Sequence, residues 1–377
     1  MNPASRALSR WRRIARPLPV LALVGTASLL ALRVLLFSGP FQKVTPLPGA
    51  PIVDLHCHAA GIGAGNSGCF VSPALRSNFR FHAYLKAFGT TEQELSTHGD
   101  SILLDRLSEN LARSRHVRAA VVLAMDGVVD PQGRLDTRRT EVYVPNEFVA
   151  DATQRHTNLL FGASINPHRL DALERVDDCA RRHAVLVKWI PSTMDIDPAD
   201  PRLIPFYQRL RQHGLILLSH TGSEHSFTSS RDELSDPWRL RLPLEQGVIV
   251  VAAHTAPGAR LSRGGASEEL RRLMREFPNL YADISALTLL NRQGALEAAL
   301  GAEEFRGRLV YGTDYPLINT PLVSSWYFPL HLTLRQSREI GSLTSPWDRD
   351  VELKHALGVP TDVFERTAGL IEKARNR

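Results

Sequence analysis

The chain repeats one pattern that restricts its fold: a short apolar run that ends in a polar residue able to bind a metal or move a proton. The runs PIVDLHCH, VLVK, LILLSH, VIVVAAH, LYAD and LVYGTD all have this form. Strands of a parallel sheet, which are buried on both faces, read as continuous apolar runs. A (β/α)8 barrel collects polar residues from the carboxyl ends of its strands on one face. The pattern therefore predicts an α/β protein built on a (β/α)8 (TIM) barrel.

Eight apolar runs fit the strands of such a barrel. From the third run onward they recur about every 25 to 35 residues, the length that a strand, a loop and a helix need. Segments with helical periodicity, such as LDALERVDDCARRH and SEELRRLMREF, lie between them. The predicted strands span residues 51–57, 117–123, 159–165, 184–190, 214–219, 247–253, 279–284 and 308–313.

Two histidines lie two residues apart at the end of the first predicted strand. Alternation along a strand sends Asp54, His56 and His58 to one face and Leu55 and Cys57 to the other. An HxH pair alone is a weak signal, but further candidate residues end later runs. These are Lys188, His220, His254, Asp283 and Asp314. A catalytic metal site needs about three protein ligands, and His56, His58, His220 and Asp314 meet that need from strands one, five and eight.

These residues resemble the site of the amidohydrolase superfamily, specifically the amidohydrolase-related group (amidohydrolase 2) that includes aminocarboxymuconate-semialdehyde decarboxylase and lactone hydrolases. The resemblance covers residues 51–330 and rests on HxH, SHTG, AH and GTDYP in the family's order. It implies that His56, His58, His220 and Asp314 bind one divalent metal ion. Zinc is the first expectation, with manganese and iron as alternatives because their ligand preferences overlap.

The resemblance also implies catalytic roles. A metal lowers the pKa of a coordinated water to about 7; Asp314 would accept its proton, and His254 would protonate a leaving group or stabilise charge. In two-metal relatives a carbamylated lysine on the fourth strand bridges the ions, so Lys188 has two interpretations. The KxxP pattern, here KWIP, favours a free ammonium that orients an anionic substrate over the bridging form.

Other polar residues have supporting interpretations. Asp54 and Asp283 are predicted to orient ligands through hydrogen bonds, with ordinary polar layers of the barrel as the alternative. In the loop after strand five, Glu224, His225 and Arg231 are candidates for contacts with substrate, although surface loops carry such residues by default.

The positive charge of the chain is concentrated at its N-terminus. Seven of the 45 Lys and Arg residues, and no acidic residue, lie in residues 1–50, which leaves 38 basic residues against 39 acidic ones in the remainder. Without a basic stripe beyond this segment, nucleic-acid binding has little support.

The N-terminal segment has the order of a membrane signal. A basic stretch, residues 1–16, precedes a mostly apolar segment, residues 17–37. Its flanking charges predict a single transmembrane helix with a cytoplasmic N-terminus and a catalytic domain on the extracytoplasmic (periplasmic) side. A cleaved signal peptide is the alternative. Residues 38–50, rich in Pro and Gly, are predicted to be a linker.

The barrel prediction assigns residues 51–330 to one domain. Residues 60–116, between the first two strands, form a long excursion that is either a lid or specificity element or a bracing insertion. Residues 331–377 are predicted to be helices that close the barrel. Cys57 and Cys69 are near enough in sequence to form a disulfide, although buried thiols are an equal alternative. The oligomeric state is left open.

Three functions are compatible with these patterns. The first is metal-dependent hydrolysis of an amide, lactone or ester bond in a small, anionic molecule. The second is non-oxidative decarboxylation at the same site. The third is an anchored barrel that has lost its chemistry, which the complete ligand set argues against.

Overall fold

The computed structural model describes residues 17–36, 51–224, 226–256 and 268–376. The chain forms two compact units, Met1–Lys43 with Ser325–Ser342 and Val44–Ser324 with Leu343–Arg377. The predictions for the basic stretch 1–16, for the linker 38–50 and for His225 lie outside the described residues.

The first unit contains the helices Pro17–Leu36 and Leu334–Gly341 and the 3-10 turn Ser325–Tyr327. Helix Leu334–Gly341 begins with a capping box in which Thr333 and Gln336 satisfy each other's backbone N–H groups. The predicted anchor, residues 17–37, largely coincides with helix Pro17–Leu36. In the described part of the chain, however, no helix is both long enough and apolar enough to cross a membrane. The transmembrane prediction is therefore unsupported, and the localisation stays a prediction.

The second unit is a TIM-barrel-like α/β fold around an eight-stranded parallel sheet, as far as the described residues show it. The strands follow one another in chain order around the sheet. They are β1 (Ile52–His58), β2 (Val117–Leu123), β3 (Leu159–Ala163), β4 (Leu186–Trp189), β5 (Ile216–His220), β6 (Val250–Ala253), β7 (Leu280–Asp283) and β8 (Leu309–Val310). The backbone N–H of Leu55 donates to Tyr311 O, and that of Asp314 donates to His56 O. The segment that continues β8 therefore pairs with β1, and the sheet is nearly closed. The predicted barrel is confirmed.

Helices flank the strands and bury one apolar stripe each. In Glu268–Glu276, for example, Leu270, Leu273 and Met274 are buried at the i, i+3, i+4 spacing of a helix face. The helices of the second unit are Pro73–Arg76, Phe79–Ala87, Glu92–His98, Ser101–Ala112, Asn146–Arg155, Ala172–Arg181, Pro191–Met194, Ile204–Gln212, Arg241–Glu245, Glu268–Glu276, Ala295–Gly301, Pro346–Ala356 and Thr361–Arg375.

The interior of the barrel and the layer between strands and helices are separate apolar clusters. Val53 and Leu55 pack in the interior with residues from the other strands and from helix Thr361–Arg375, whereas Cys57 packs in the outer layer. The prediction that Leu55 and Cys57 share a face is therefore wrong. The register of β1 against β2 shifts between Asp54 and Cys57. Such an irregularity breaks the alternation of side chains on which the prediction relied.

The excursion after β1 is organised by one carboxylate. Asp100 Oδ2 accepts hydrogen bonds from the backbone N–H groups of Ile62 and Gly63 and from Ser67 Oγ. A Cβ at Gly61 would lie 2.5 Å from that oxygen and 2.7 Å from Cys69 Sγ, so only glycine fits there. A short antiparallel ribbon, Phe70–Val71 with Val142–Tyr143, holds the excursion to a later loop. This network fixes the excursion over the carboxyl ends of the strands.

Candidate metal centre

Three predicted ligands converge where β1 and the continuation of β8 meet. His56 Nε2 and His58 Nε2 lie 3.2 Å apart, and Asp314 Oδ1 lies 3.4 Å from the first and 3.2 Å from the second. Zinc binds such atoms at about 2.0–2.2 Å, so two ligands of a tetrahedral ion lie about 3.4 Å apart. The three atoms therefore have the spacing of ligands around one ion.

Asp283, at the end of β7, fixes the orientation of His56. Its Oδ2 lies 2.8 Å from His56 Nδ1. Because a carboxylate only accepts hydrogen bonds, Nδ1 carries the proton, and the lone pair of Nε2 faces the other ligands. Burial raises the pKa of Asp283, but His56 and His254 outweigh burial and hold it well below its ordinary value. Asp283 is thus charged and holds the ring of His56 in one orientation, and its predicted role beside a metal ligand stays a prediction.

His254, just after β6, lies beside this cluster and is buried. Its Nε2 lies 3.9 Å from Asp314 Oδ2, and its Nδ1 lies 3.1 Å from the carbonyl oxygen of Ser285. The carbonyl can only accept, so Nδ1–H donates to it and Nε2 is left as a proton acceptor facing Asp314. Burial lowers the pKa of His254 well below its ordinary value, which keeps the ring neutral.

Two site residues have strained backbones. His254 has φ 63° and Asp314 has φ 62°, in the left-handed region that residues with a Cβ seldom occupy. The N–H of His254 donates to Asp283 Oδ1 at 2.9 Å, and that of Asp314 donates to His56 O at 2.8 Å. The site itself therefore supplies the hydrogen bonds that hold these conformations, as is common where geometry serves function.

His220, the fourth predicted ligand, lies at the end of β5, and its ring centroid is 5.0 Å from that of His254. Burial lowers the pKa of His220 to about 4. Its Nε2 is buried and has no hydrogen-bond partner among the described residues, and the same holds for His58 Nδ1. Buried polar atoms normally have partners. A metal ion is one partner that the neutral His220 nitrogen fits, but the ligand atoms of this cluster that lie within 4.8 Å of one another belong to His56, His58 and Asp314, without His220.

Lys188, in β4, is buried with its ammonium group directed at the cluster. Its Nζ lies 3.1 Å from His56 Nε2. Burial lowers the pKa of Lys188 to about 8, although Asp314 and Asp283 oppose the shift. The free ammonium and the carbamylated bridge both stay predictions.

Asp54 acts on the backbone rather than on an imidazole. Its carboxylate accepts from the N–H groups of His56 and Thr313, from Thr313 Oγ1 and from Trp347 Nε1. Burial raises the pKa of Asp54 to about 6. A Cβ at Gly312 would lie 3.0 Å from the Cβ of His56, so glycine allows the two strand ends to approach. Asp54 thereby ties β1 to the segment that carries Asp314.

A cavity of about 240 Å³ opens in front of the ligand atoms. His58, Lys188, His220, His254 and Asp314 line one part of it, and apolar side chains line most of the remainder. Ile62, Leu75, Phe81, Leu85 and Phe88 of the excursion form part of the apolar wall. An apolar pocket with a few convergent polar groups is the usual form of a small-molecule site.

The loop candidates separate into two groups. Glu224 lines the cavity, and its Oε2 lies 3.6 Å from His220 Nδ1. Arg231 is not among the lining residues; its exposed guanidinium pairs with Asp195 and Glu233. The three cysteines, among them Cys57 and Cys69, are free and buried. Of the two alternatives for Cys57 and Cys69, the structure therefore has buried thiols and not a disulfide.

Two residues of the site are absent from the sequence prediction. Ser285 Oγ lies 3.1 Å from His56 Nδ1, 2.9 Å from His254 Nδ1 and 2.5 Å from Asp283 Oδ1. Arg292, in the 3-10 turn Leu290–Arg292 after β7, lines the cavity. Both follow a polar strand end, Asp283, and loops after strands build the active sites of barrels. The position of Ser285 and Arg292 in the segment after β7 was the feature of the sequence that could have identified them.

The family comparison agrees with this geometry. The sequence model described as amidohydrolase (Amidohydro_2) matches residues 53–336. The chain belongs to this amidohydrolase family. The predicted resemblance is confirmed, and the family's members are enzymes, hydrolases or decarboxylases. No curated protein sequence matches this chain.

The chain is also similar to solved structures, at low sequence identity. An uncharacterized TIM-barrel protein from Bordetella bronchiseptica is 15% identical, with a TM-score of 0.50 over 87% of this chain and 100% of the other. A putative 2-pyrone-4,6-dicarboxylic acid hydrolase from Pseudomonas putida is 15% identical (TM-score 0.49; 86% and 98% covered). A 5-carboxyvanillate decarboxylase from Sphingomonas paucimobilis is 11% identical (TM-score 0.43; 87% and 99% covered). The first of these likenesses concerns the fold alone.

Proposed function

We propose that the protein is a metal-dependent hydrolase that cleaves an amide, lactone or ester bond of a small anionic molecule. The observation that carries the proposal is the meeting of His56 Nε2, His58 Nε2 and Asp314 Oδ1 within 3.2–3.4 Å at the cavity. His220 would complete the ligand set with its unpartnered Nε2. A bound divalent ion would acidify water and polarise a carbonyl oxygen.

The side chains of the site would manage the proton. Asp314 has a second oxygen, Oδ2, on the side of His254, and the unprotonated Nε2 of His254 faces it at 3.9 Å. A proton taken up by Asp314 can pass to His254 and from there to a leaving group, with Ser285 holding the ring in one tautomer. Lys188 would hold the anionic part of a substrate beside the ligands.

Non-oxidative decarboxylation is the second candidate. Two cationic side chains, Lys188 and Arg292, line the cavity close to the ligand cluster. They would hold the substrate carboxylate that leaves as carbon dioxide beside that cluster. In that reaction His254 would first take up a proton from solvent at Nε2 and then pass it to the carbon atom that loses carbon dioxide.

A substrate screen on the full chain tests both candidates. Lactones, esters, amides and aromatic carboxylates are incubated in isotopically labelled water, with metal and after chelation. Hydrolysis predicts label in the product, loss of turnover on chelation and recovery with zinc or manganese. Release of carbon dioxide without label would favour the second candidate. Turnover by protein shown to be free of metal would refute the proposal.

A further inference from the structure

We propose that the cavity selects substrates that carry one anionic group, bound by Arg292, on an apolar body. The apolar body would pack against the side chains that the excursion, residues 60–116, contributes to the cavity wall. The inference rests on the proposed function, because it names the substrate class of the same site. Arg292 would recognise the charge of the substrate, and the excursion after β1 would recognise its apolar part.

Arg292 has a donor with nothing to bind. Its side chain is half-buried, but the Nη1 atom is buried and has no hydrogen-bond partner among the described residues. Guanidinium groups keep their charge in proteins and cannot accept hydrogen bonds, so only an acceptor can satisfy this atom. A substrate anion in the cavity is an acceptor of the required charge and gives the strong, charge-assisted form of the bond.

The position of Arg292 is fixed by its backbone. The N–H of Leu290 donates to Leu322 O at 2.8 Å, and that of Arg292 donates to Leu289 O at 2.9 Å. Leu289 also forms an isolated bridge with Val323. The turn after β7 is thus tied to a later loop, which fixes the backbone from which the Arg292 side chain extends. A fixed backbone loses little freedom when a ligand binds.

The other cation of the cavity, Lys188, already has one partner. Its Nζ lies 3.1 Å from His56 Nε2, within the ligand cluster, and its remaining N–H donors can contact the same anion. Asp314 and Glu224 act on Arg292 through charge alone. On the described cavity wall, Arg292 Nη1 is therefore a cationic nitrogen without any partner, and an anion bound there would lie near His254, whose pKa burial and Arg292 both lower.

The apolar wall determines the rest of the substrate. Leu75, Phe81, Leu85 and Phe88 line the cavity from the excursion, and Phe227 and Leu289 line it from later loops. At about 30 Å³ for a group the size of water, a cavity of 240 Å³ holds about eight such groups. A charged group on a chain or ring of about six carbons fits both the volume and the lining.

Binding of linear carboxylates to the metal-free full chain tests the proposal. Calorimetry measures the affinities of acetate, butyrate and hexanoate, and that of neutral 1-hexanol for comparison. We expect affinity to rise about fourfold per methylene as apolar surface is buried. Arg292→Met is expected to weaken hexanoate about ten- to a hundredfold, the value of a lost charge-assisted bond, while hexanol binding is unchanged. Arg202→Met, at a side chain that is 81% exposed, is the matched control.

Three results would overturn the inference. Arg292→Met could bind hexanoate as tightly as the wild type does, or it could lose equal affinity for hexanoate and hexanol. In the third, the affinity of the wild type would not change with the length of the carboxylate. Retained hexanol binding shows that the variant is folded, and Arg292→Lys, which keeps the charge, should recover part of the loss. Because binding is measured without metal, hexanoate binding without hydrolysis in any screen would defeat only the proposed function.

Discussion

Replacing Asp283 with asparagine is expected to weaken metal binding while the fold persists. Asparagine keeps the shape, and its oxygen can still accept from His254 N–H, Ser285 N–H and Ser285 Oγ, as Oδ1 does now. The amide nitrogen would replace Oδ2, 2.8 Å from His56 Nδ1. Two donors would then face each other, and His56 would rotate or move its proton to Nε2, where the metal needs a lone pair.

The expected loss is about 10- to 100-fold in metal affinity, the usual effect of removing a carboxylate that orients a histidine ligand. This equals about 1.4–2.8 kcal/mol, in line with one charge-assisted hydrogen bond. Competition with a chromophoric chelator measures it on the full chain. Ser285→Ala keeps the His56–Asp283 pair and should lose less; Asp362→Asn, on a 62% exposed side chain, should lose nothing. Wild-type affinity in Asp283→Asn would refute the orienting role.

Three further predictions concern the metal and the scaffold. Chelation is expected to lower the melting temperature, and excess zinc should restore it, because an ion that binds only the folded state stabilises it; an unchanged melting curve would count against the site. Lys354→Met should cost about 3–5 kcal/mol in urea unfolding, because Lys354 Nζ donates at 2.8 Å to both Gly312 O and Asp350 Oδ2, and the buried carboxylate would lose its charged partner and keep the hydrogen bond from Tyr311; a loss under about 1 kcal/mol would contradict this. Hydrogen bonds from Arg106 and Thr90 lower the pKa of Glu94 to about 2, so Glu94 stabilises the fold above its unfolded pKa, near 4.5, and the benefit is lost as the pH falls towards 2. The melting temperature of Glu94→Gln should therefore be lower than that of the wild type at pH 6 and converge with it in acid, whereas a constant difference would show that charge is not involved.

Strand positions and ligand types were visible in the sequence because each buried strand is an apolar run and each ends in a polar residue. The resemblance to a family then selected His56, His58 and Asp314 as ligands among these polar strand ends. The face of each β1 side chain was not visible, because the irregularity between Asp54 and Cys57 arises from pairing with β2. Alternation in the sequence carries no trace of it.

Two other features could not be predicted from the sequence: the place of Arg292 at the cavity and the hydrogen bond from Trp347 to Asp54. Both depend on contacts between residues that are far apart in the chain, and neither Arg292 nor Trp347 ends an apolar run. Arg231 looked equally suitable in the sequence, but its neighbours Asp195 and Glu233 pair with it. Tertiary proximity, which periodicity does not encode, decides which arginine remains available to a ligand.

Anomalous diffraction from crystals of the full chain, combined with elemental analysis, tests the central claim most directly. The account predicts one divalent ion per chain, in contact with Nε2 of His56, Nε2 of His58 and a carboxylate oxygen of Asp314. An ion bound elsewhere, two ions bridged by a modified Lys188, or metal-free protein after dialysis against zinc would contradict it.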